Sequence, residues 1–205
     1  MTVIVDYGVG NLFSLKSSLN YIGAEALASS DAEIIRNADR IILPGVGAFI
    51  DAREKLSVNG LDELVIEQAR KGKPLMGICL GMQMLFDRSY EFGTTDGLKL
   101  IDGEVKSIAP YIPEGYKVPH IGWNALRFSE KGRGADIFKY ISEGDHVYFV
   151  HSFAAMECYE SVIATAEYGA ELTAAVQNEN VIGMQFHPEK SGEVGLKILK
   201  AFCEL

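Results

Sequence analysis

The first half of the chain alternates between short apolar runs and longer amphipathic stretches, a pattern typical of strands and helices in turn. Strands are predicted at 2–7, 25–30, 40–43 and 74–78, and helices at 12–21, 31–38 and 49–71. Asp31 is suited to cap the second helix, and Asn59-Gly60 predicts a break in the third. Because strands alternating with helices of this length favour parallel pairing, we expect a doubly wound parallel sheet with helices on both faces.

The second half follows a different pattern. Residues 93–122 are rich in turn-forming residues, and short alternating stretches then predict mixed or antiparallel strands at 118–128, 146–153, 161–167, 173–177 and 181–186. A final amphipathic helix is predicted at 192–205. No linker, repeat or low-complexity segment is evident. We therefore expect one α/β domain, 1–205, whose mostly parallel sheet carries an additional antiparallel or mixed part.

Composition excludes several functions rather than selecting one. The 205 residues include 19 basic and 28 acidic side chains, a net charge of −9 that argues against nucleic-acid binding. No apolar stretch reaches the roughly 20 residues of a membrane span, and no signal peptide is evident. The three cysteines, at 79, 158 and 203, are too few and too scattered for a disulfide framework or a zinc site. We therefore expect a cytoplasmic protein with no metal.

Residues 74–87, PLMGICLGMQMLFD, change period at a cysteine. The apolar run before Cys79 predicts a buried strand, whereas the apolar residues from Leu80 onward follow helical spacing. Gly77 and Gly81 flank the cysteine, as a sharp strand-to-helix turn that presents a nucleophile requires. A helix N-terminus aimed at the sulfur favours the thiolate. This pattern makes Cys79 a candidate nucleophile, and a buried packing cysteine is the alternative.

A cysteine nucleophile needs a base, and the base needs an orienting group. The segment VIGMQFHPEKSG (181–192) ends an apolar strand with His187 and places Glu189 two residues later. If the chain stays extended, both side chains project to one side, and Pro188 biases His187 toward that conformation. A structural histidine beside a solvated glutamate is the alternative. Because the same chain carries the strand-to-helix turn at Cys79, a catalytic role for His187 and Glu189 is favoured.

LPGVGAF (43–49) is a third strand end, and its two glycines leave backbone N–H groups open. Such a segment suits an oxyanion hole, for which the N–H of Leu80 is the natural second donor. Strand ends of this kind meet at one edge of an open α/β sheet, where ligands bind. Taken alone, PGVG also fits an ordinary turn.

The other histidines and the N-terminal glycines suggest less chemistry. His146 and His151 differ by five residues, so on one strand they face opposite ways and cannot share a metal there. For His120, which has no evident partner nearby in sequence, we expect a hydrogen-bonded structural role. YGVGN near the start suggests a dinucleotide motif, but Phe13 occupies the position of its third glycine.

Together these segments resemble the class I, triad-type glutamine amidotransferases over the whole chain. The shared motifs are GICLGMQ at 77–83 and FHPE at 186–189. Further segments narrow the resemblance to the glutaminase subunits that act in histidine biosynthesis: DYGVGN at 6–11, LPGVGAF at 43–49, PHIGWN at 119–124, YFVHSF at 148–153 and FHPEKS at 186–191. PHIGWN is the most specific of these segments.

The resemblance implies a role for each matching residue. Cys79 attacks the side-chain carboxamide of L-glutamine, His187 activates the thiol and protonates the ammonia, and Glu189 orients His187. The backbone N–H groups of Val46 and Leu80 stabilise the oxyanion. The amino-acid end of glutamine is bound at positions matching Gly47, Gln83, Ser152 and Phe153. Phe153 stands where tyrosine is common, so the resemblance implies a backbone contact there rather than a hydroxyl contact.

The resemblance also implies a partner and no cofactor. In the family, ammonia passes through a tunnel to a (β/α)8-barrel cyclase subunit, which forms imidazole glycerol phosphate and AICAR. Positions matching its interface with the cyclase are Asn11, Trp123, Tyr148 and Lys190. Exposed aromatic residues among charges fit an interface centre, and core packing is the alternative for Trp123. The resemblance also implies that the PGVG segment is poorly placed to stabilise the oxyanion until the partner binds its substrate. We therefore expect low glutaminase activity in the isolated chain.

Three other functions stay open on the sequence. The first alternative is a glutaminase for a purine, pyridoxal phosphate or anthranilate pathway. The segments PHIGWN and PGVGAF argue against it. The second alternative is a cysteine hydrolase or chaperone of similar fold that acts without a partner. A glutamine analogue would not label such a protein. The third alternative is a binding module in which the strand-to-helix turn at Cys79 has lost its catalytic role. The joint presence of a cysteine, a histidine and a glutamate in these motifs argues against it.

Overall fold

The computed structural model describes residues 1–205. Its thirteen strands, in chain order, are β1 (Thr2–Val5), β2 (Ala26–Ser29), β3 (Arg40–Leu43), β4 (Leu75–Ile78), β5 (Arg88–Ser89), β6 (Thr95–Asp96), β7 (Glu104–Ser107), β8 (His120–Phe128), β9 (His146–His151), β10 (Phe153–Met156), β11 (Val162–Glu167), β12 (Glu171–Asn178) and β13 (Val181–Met184). The α-helices are α1 (Leu12–Tyr21), α2 (Ala32–Asn37), α3 (Phe49–Ser57), α4 (Leu61–Arg70), α5 (Leu80–Gln83), α6 (Glu130–Arg133) and α7 (Gly192–Cys203). Short 3-10 turns cover Val58–Gly60, Asp136–Phe138, Tyr159–Ser161 and Pro188–Lys190.

The strands form a large sheet and a small one. The large sheet has nine strands in the order β2–β1–β3–β4–β13–β12–β11–β8–β9. Its strands pair in parallel from β2 to β13 and antiparallel from β13 to β9. The small sheet has four strands in the order β10–β7–β5–β6. The expected fold class is confirmed: a doubly wound parallel sheet continues into an antiparallel part formed by the second half.

Alternation of side chains along the parallel strands divides the core between the two faces of the sheet. In β1, Val3 and Val5 belong to one buried cluster, whereas Ile4 belongs to the other. The first cluster contains apolar residues of α2, α3 and α4, including Ile35, Phe49 and Leu64. The second contains those of α1 and α7, including Leu15, Leu19, Ile198 and Phe202. No helix combines the length and the apolar character that a membrane span requires.

Three local expectations need correction. The helix after Cys79 is a single turn, because Leu85 and Phe86 leave the helix to enter the core under the small sheet. The strands β5, β6 and β7 were not predicted, since each has only two to four residues within a turn-rich region. The stretch 146–153 is two strands rather than one: β9 pairs with β8 in the large sheet, and β10 pairs with β7 in the small one.

The carboxyl ends of three neighbouring strands coincide at one edge of the sheet. β4 lies between β3 and β13, with Leu43 opposite Gly77 and Met184 opposite Ile78. The segments that follow these strands therefore emerge side by side. They begin with Pro44, Cys79 and Gln185, two residues before His187. This edge is where ligands bind in open α/β sheets.

Candidate active site

Cys79 occupies a strained backbone position between β4 and α5. Its φ of +53° and ψ of −112° lie in a region that residues with a side chain rarely adopt. The turn is held by the backbone, since the N–H of Cys79 donates to the Met184 carbonyl at 2.7 Å. The side chain is buried, and its Sγ lies 3.8 Å from Gln185 Nε2. Strain held in this way at a buried thiol is typical of a nucleophile elbow.

The two glycines around Cys79 are required by the close packing of this turn. A Cβ on Gly81 would lie 1.9 Å from the Leu43 carbonyl oxygen, and one on Gly77 would lie 2.7 Å from the Gly81 oxygen. Neither glycine has a positive φ, so both are needed for space rather than for backbone conformation. The G-x-C-x-G spacing thus lets the turn after β4 sit directly against the end of β3.

His187 and Glu189 form a buried pair. His187 Nδ1 donates to Glu189 Oε1 at 2.9 Å, and both side chains are only 3% exposed. The chain does not stay extended as expected, since Pro188 begins a 3-10 turn that ends at Lys190. The turn still presents the carboxylate to the ring. Burial lowers the pKa of His187, but hydrogen bonds and charge from Cys79 and Glu189 outweigh it and raise that pKa to about 9.

One cavity of about 380 Å³ collects most of the residues singled out in the sequence. Its lining includes eight of the expected catalytic and glutamine-binding residues: Val46, Gly47, Cys79, Leu80, Gln83, Ser152, Phe153 and His187. Glu189 lies behind His187 and not in the lining. Four further lining residues were not anticipated: Glu91, Pro119, Val150 and His151. Pro119 belongs to PHIGWN and Val150 and His151 belong to YFVHSF, but those segments do not by themselves show that these residues reach the cavity.

Gln83 is fixed by a polar network in the wall of this cavity. Its Nε2 donates to the Phe153 carbonyl and to Gln185 Oε1, each at 3.0 Å. Gln185 is fully buried, and its amide reaches Cys79. Gln185 directly precedes the FHPE motif, but no local pattern in the sequence marks it as part of the site. The Phe153 backbone carbonyl accepts from Gln83, and the expected backbone contact of Phe153 to glutamine stays a prediction.

The PGVG segment is anchored at its start and exposed in its middle. The Tyr7 hydroxyl donates to the Pro44 carbonyl at 2.6 Å, and burial together with the charge of Cys79 raises the pKa of Tyr7. Val46 is 43% exposed, and Gly47 has a φ of +93° that favours glycine. The segment therefore runs along the cavity with one tethered end and a turn that presents backbone groups.

Three of the four expected interface residues lie together on the surface. Trp123 is 53% exposed, and its ring meets that of Tyr148 edge to face with centroids 5.9 Å apart. Lys190 Nζ lies 6.0 Å from the Tyr148 ring. This surface position argues against core packing of Trp123. The Asn11 side chain instead caps α1 by accepting from the Ser14 N–H at 3.4 Å.

The remaining histidines lie on neighbouring strands β8 and β9. His146 is exposed and His151 is buried, in agreement with their expected opposite faces. His120 is also buried, with Nδ1 3.0 Å from His151 Nε2 and Nε2 2.7 Å from Asn124 Oδ1. The expectation that His120 lacks a partner nearby in sequence is therefore wrong. Asn124 lies four residues further along the same strand.

Comparison with known proteins agrees with this geometry. The sequence profile of the family "Glutamine amidotransferase class-I" matches residues 3–204. Proteins named "Imidazole glycerol phosphate synthase subunit HisH" from Caldanaerobacter subterraneus subsp. tengcongensis and Wolinella succinogenes are each 47% identical to this chain. The matches cover all of this chain and 98% and 100% of those proteins, respectively.

Solved structures show the same fold at much lower identity. One described as "Crystal structure of glutamine amidotransferase" has a TM-score of 0.75 at 19% identity and covers 99% of both chains. PurLQS from Thermotoga maritima has a TM-score of 0.72 at 22% identity, covering 99% of this chain and 97% of its own. The near full-length matches carry the assignment: this chain belongs to the class-I glutamine amidotransferase family, among the HisH subunits of imidazole glycerol phosphate synthase.

Proposed function

We propose that this chain hydrolyses L-glutamine to glutamate and ammonia through Cys79, His187 and Glu189. As a member of this family, the chain is the glutaminase subunit of imidazole glycerol phosphate synthase in histidine biosynthesis. The observation that carries the residue assignment is the buried His187–Glu189 pair beside Cys79 at three adjoining strand ends. A cysteine, a base and an orienting carboxylate are the parts that nucleophilic acyl transfer needs.

The hydrogen bonds of His187 decide where the proton moves. Its Nδ1 donates to Glu189, so Nε2 is the nitrogen that exchanges a proton with Cys79 and the substrate. The Cys79 thiolate attacks the carboxamide carbon, and the carbonyl electrons move to oxygen. When that oxyanion collapses, the C–N bond breaks, and the His187 proton passes to the leaving nitrogen as ammonia forms. Water then attacks the thioester, gives a proton back to His187, and releases glutamate.

The backbone groups at the other two strand ends stabilise the oxyanion. Val46 follows Pro44-Gly45 after β3, and Leu80 follows the nucleophile after β4, so their N–H groups approach the reaction centre from neighbouring segments. Loss of one such donor typically costs about 10²- to 10³-fold in rate. The tether from Tyr7 to Pro44 limits how far the Val46 peptide can move.

The amino-acid end of glutamine is held by Gly47, Gln83, Ser152 and Phe153. This assignment is supported by the position of all four residues in the lining of the cavity that contains Cys79. Gly47 and the 152–153 segment contribute backbone groups, while Gln83 contributes a side chain that its own hydrogen bonds orient. No cofactor is needed for this chemistry, because every step is an acyl or proton transfer.

The partner in this proposal is a (β/α)8-barrel cyclase subunit that receives the ammonia in the cytoplasm and forms imidazole glycerol phosphate and AICAR. The relatives are named as subunits of a synthase, which supports a heterodimer. Trp123, Tyr148 and Lys190 form the centre of the interface, since they combine an exposed tryptophan, a half-buried tyrosine and a cation. Tyr148 also connects to the catalytic base, because its carbonyl accepts from the His187 N–H at 2.9 Å. Asn11 lies beside the cavity next to Glu189, where a partner contact would reach the PGVG segment.

The experiment measures glutamate release by the purified chain, alone and with the cyclase subunit and its nucleotide substrate. Cys79→Ala is the test variant, and Cys203→Ala on α7 is the control. We expect strong stimulation by the partner that is lost only in Cys79→Ala. Equal activity with and without the partner would refute activation by the partner. Absence of glutamine turnover under every condition would refute the glutaminase assignment.

The interface assignment is tested separately by Trp123→Ala. Removal of a central interface tryptophan typically costs about 2 kcal/mol or more, so we expect affinity for the cyclase to fall roughly 30-fold. Basal glutaminase activity of the isolated variant serves as the control for folding. Unchanged affinity would place the interface elsewhere.

A further inference from the structure

A chain of side-chain hydrogen bonds connects the backbone carbonyl of Glu167, at the surface, to that of Phe153, which lines the cavity. Asn124 Nδ2 donates to the Glu167 carbonyl at 2.8 Å, and Asn124 Oδ1 lies 2.7 Å from His120 Nε2. His120 Nδ1 lies 3.0 Å from His151 Nε2. His151 Nδ1 donates to the Phe153 carbonyl at 2.9 Å. We call Asn124, His120 and His151 the histidine relay.

The relay needs one more proton than its neutral groups carry. Both ends are carbonyl oxygens, which only accept, so each of the four contacts must contain a proton from the relay itself. The Asn124 amide donates one at the Glu167 end, and each neutral imidazole carries one, which satisfies three contacts. The fourth is completed only when one imidazole is doubly protonated.

The surroundings select His120 as the place for the additional proton. Its ring is stacked between those of Tyr168 and Phe149, with centroids 3.9 Å and 5.0 Å away, and aromatic faces favour a cation. Burial lowers the pKa of His120 below its ordinary value, and the hydrogen bond to Asn124 raises it in part. Burial holds the pKa of His151 at about 4. At neutral pH both rings are therefore neutral, and one contact of the relay is missing.

The missing contact belongs at the Asn124 end. Asn124 Nδ2 already donates to Glu167, so the contact without a proton is the one between His120 Nε2 and Asn124 Oδ1. That contact is only partly buried, whereas the contact between the two imidazoles is buried. Water can replace a lost hydrogen bond at the surface but not in the interior. The titratable groups around the relay are Glu167 at the end of β11, Tyr168 after it, His187 beyond β13, and Cys79, Glu91 and Lys190 in the cavity that His151 lines.

The buried end of the relay reaches the glutamine site. The Phe153 carbonyl that accepts from His151 also accepts from Gln83 Nε2 at 3.0 Å. Gln83 donates in turn to Gln185, whose amide lies 3.8 Å from Cys79 Sγ. The direction of the Phe153 carbonyl therefore determines where Gln83 is held. That direction depends on the Nδ1 proton of His151.

We propose that His151 is a positioning residue for glutamine binding: its Nδ1–H, directed by His120 and Asn124, fixes the Phe153 carbonyl and through it Gln83. His120 takes up the proton that completes the relay when the medium becomes acidic. This inference rests on the proposed function, which places Gln83 against the amino-acid end of glutamine. It adds residues that orient the binding group Gln83 through the Phe153 carbonyl.

The kinetic test compares two substitutions of His151. His151→Leu removes the donor to Phe153, and His151→Asn keeps an amide donor of similar reach. Because Gln83 binds the substrate equally in the ground and transition states, we expect His151→Leu to raise KM for glutamine about tenfold with kcat little changed. We expect His151→Asn to stay within about twofold of wild type. His146→Asn, exposed on the same strand, is the control. Equal KM values for the Leu and Asn variants would overturn the proposal.

The spectroscopic test uses ¹⁵N-labelled histidine in the intact chain, with the four histidines assigned by single substitutions. At neutral pH we expect a protonated Nδ1 on His151 and a bare Nε2. On acidification His120 should become doubly protonated, and Asn124→Ala should shift that step to lower pH. A bare His151 Nδ1 at neutral pH would overturn the proposal. This readout needs no catalysis, so a chain without glutamine turnover would refute the proposed function while the relay is still decided.

Discussion

Glu189→Gln tests how the buried carboxylate supports catalysis. The substitution keeps the shape of the side chain and an oxygen that can accept from His187 Nδ1, but it removes the negative charge. Glu189 Oε1 makes the 2.9 Å contact to the ring, while Oε2 is buried without a hydrogen-bond partner. The neutral amide is therefore expected to fit, and its effect should be electrostatic rather than steric.

The expected magnitude follows from the pKa of His187. Its rise from 6.5 to about 9 corresponds to about 3 kcal/mol in favour of the imidazolium, after the opposing effect of burial. Cys79 and Glu189 each contribute a hydrogen bond and a charge to this preference. Loss of one charged hydrogen bond typically costs about 1.5–3 kcal/mol, so we expect kcat/KM to fall roughly 10- to 100-fold.

The assay is glutamate release in the presence of the partner, measured as kcat/KM across pH. In the wild type the imidazolium persists until pH rises to about 9, so the basic limb of the profile should lie there. In Glu189→Gln that limb should move to lower pH. Glu193→Gln is the matched control, because Glu193 is 81% exposed and pairs only with Lys197 on α7. Wild-type kcat/KM with an unshifted limb in Glu189→Gln would refute the reasoning.

Two further predictions concern stability. Gly81→Ala should lower the free energy of unfolding by about 3 kcal/mol or more in urea titrations, because the new Cβ would lie 1.9 Å from the Leu43 oxygen. Gly134→Ala, whose nearest neighbour would be 4.0 Å away, should change it by less than about 1 kcal/mol, and equal losses would contradict the packing argument. Because the pKa of His187 is raised on folding, its contribution is complete below pH 6.5 and is lost as pH rises through about 9. Unfolding free energy should therefore decline by up to about 3 kcal/mol across this interval, and less in Glu189→Gln; equal declines in the two proteins would argue against the pair.

The elements of the first half were predictable because their signals are local. The strands β1 to β4 are mostly apolar runs of four residues that alternate with helices, and Asp31 caps α2 as its position predicted. Helix and strand periodicity needs only neighbours in sequence. The strands of the small sheet have no such signal, since β5 and β6 have two residues each and exist only through pairing. The split between β9 and β10 likewise depends on which sheet each strand joins.

The candidate catalytic residues were visible in sequence because motifs carry them, but their mutual placement was not. GICLGMQ and FHPE identify Cys79 and the His187–Glu189 pair separately, about a hundred residues apart along the chain. Their proximity follows from the parallel pairing of β4 with β13, a contact of long sequence separation. For the same reason, nothing in the sequence indicated the contacts of Gln185 and His151. A buried glutamine or histidine has no local pattern, and only the fold shows what it touches.

By itself, the sequence determined the strand–helix alternation of the first half, the candidate nucleophile and base, and the family to which the chain belongs. These depend on periodicity and on short motifs, in which each residue constrains only its near neighbours. The tertiary structure alone decided that the ends of β3, β4 and β13 share one cavity, that Trp123 lies on the surface, and that His120 and His151 lie within hydrogen-bonding distance of each other. Those features arise from strand order, register and burial, which are properties of the whole packed chain.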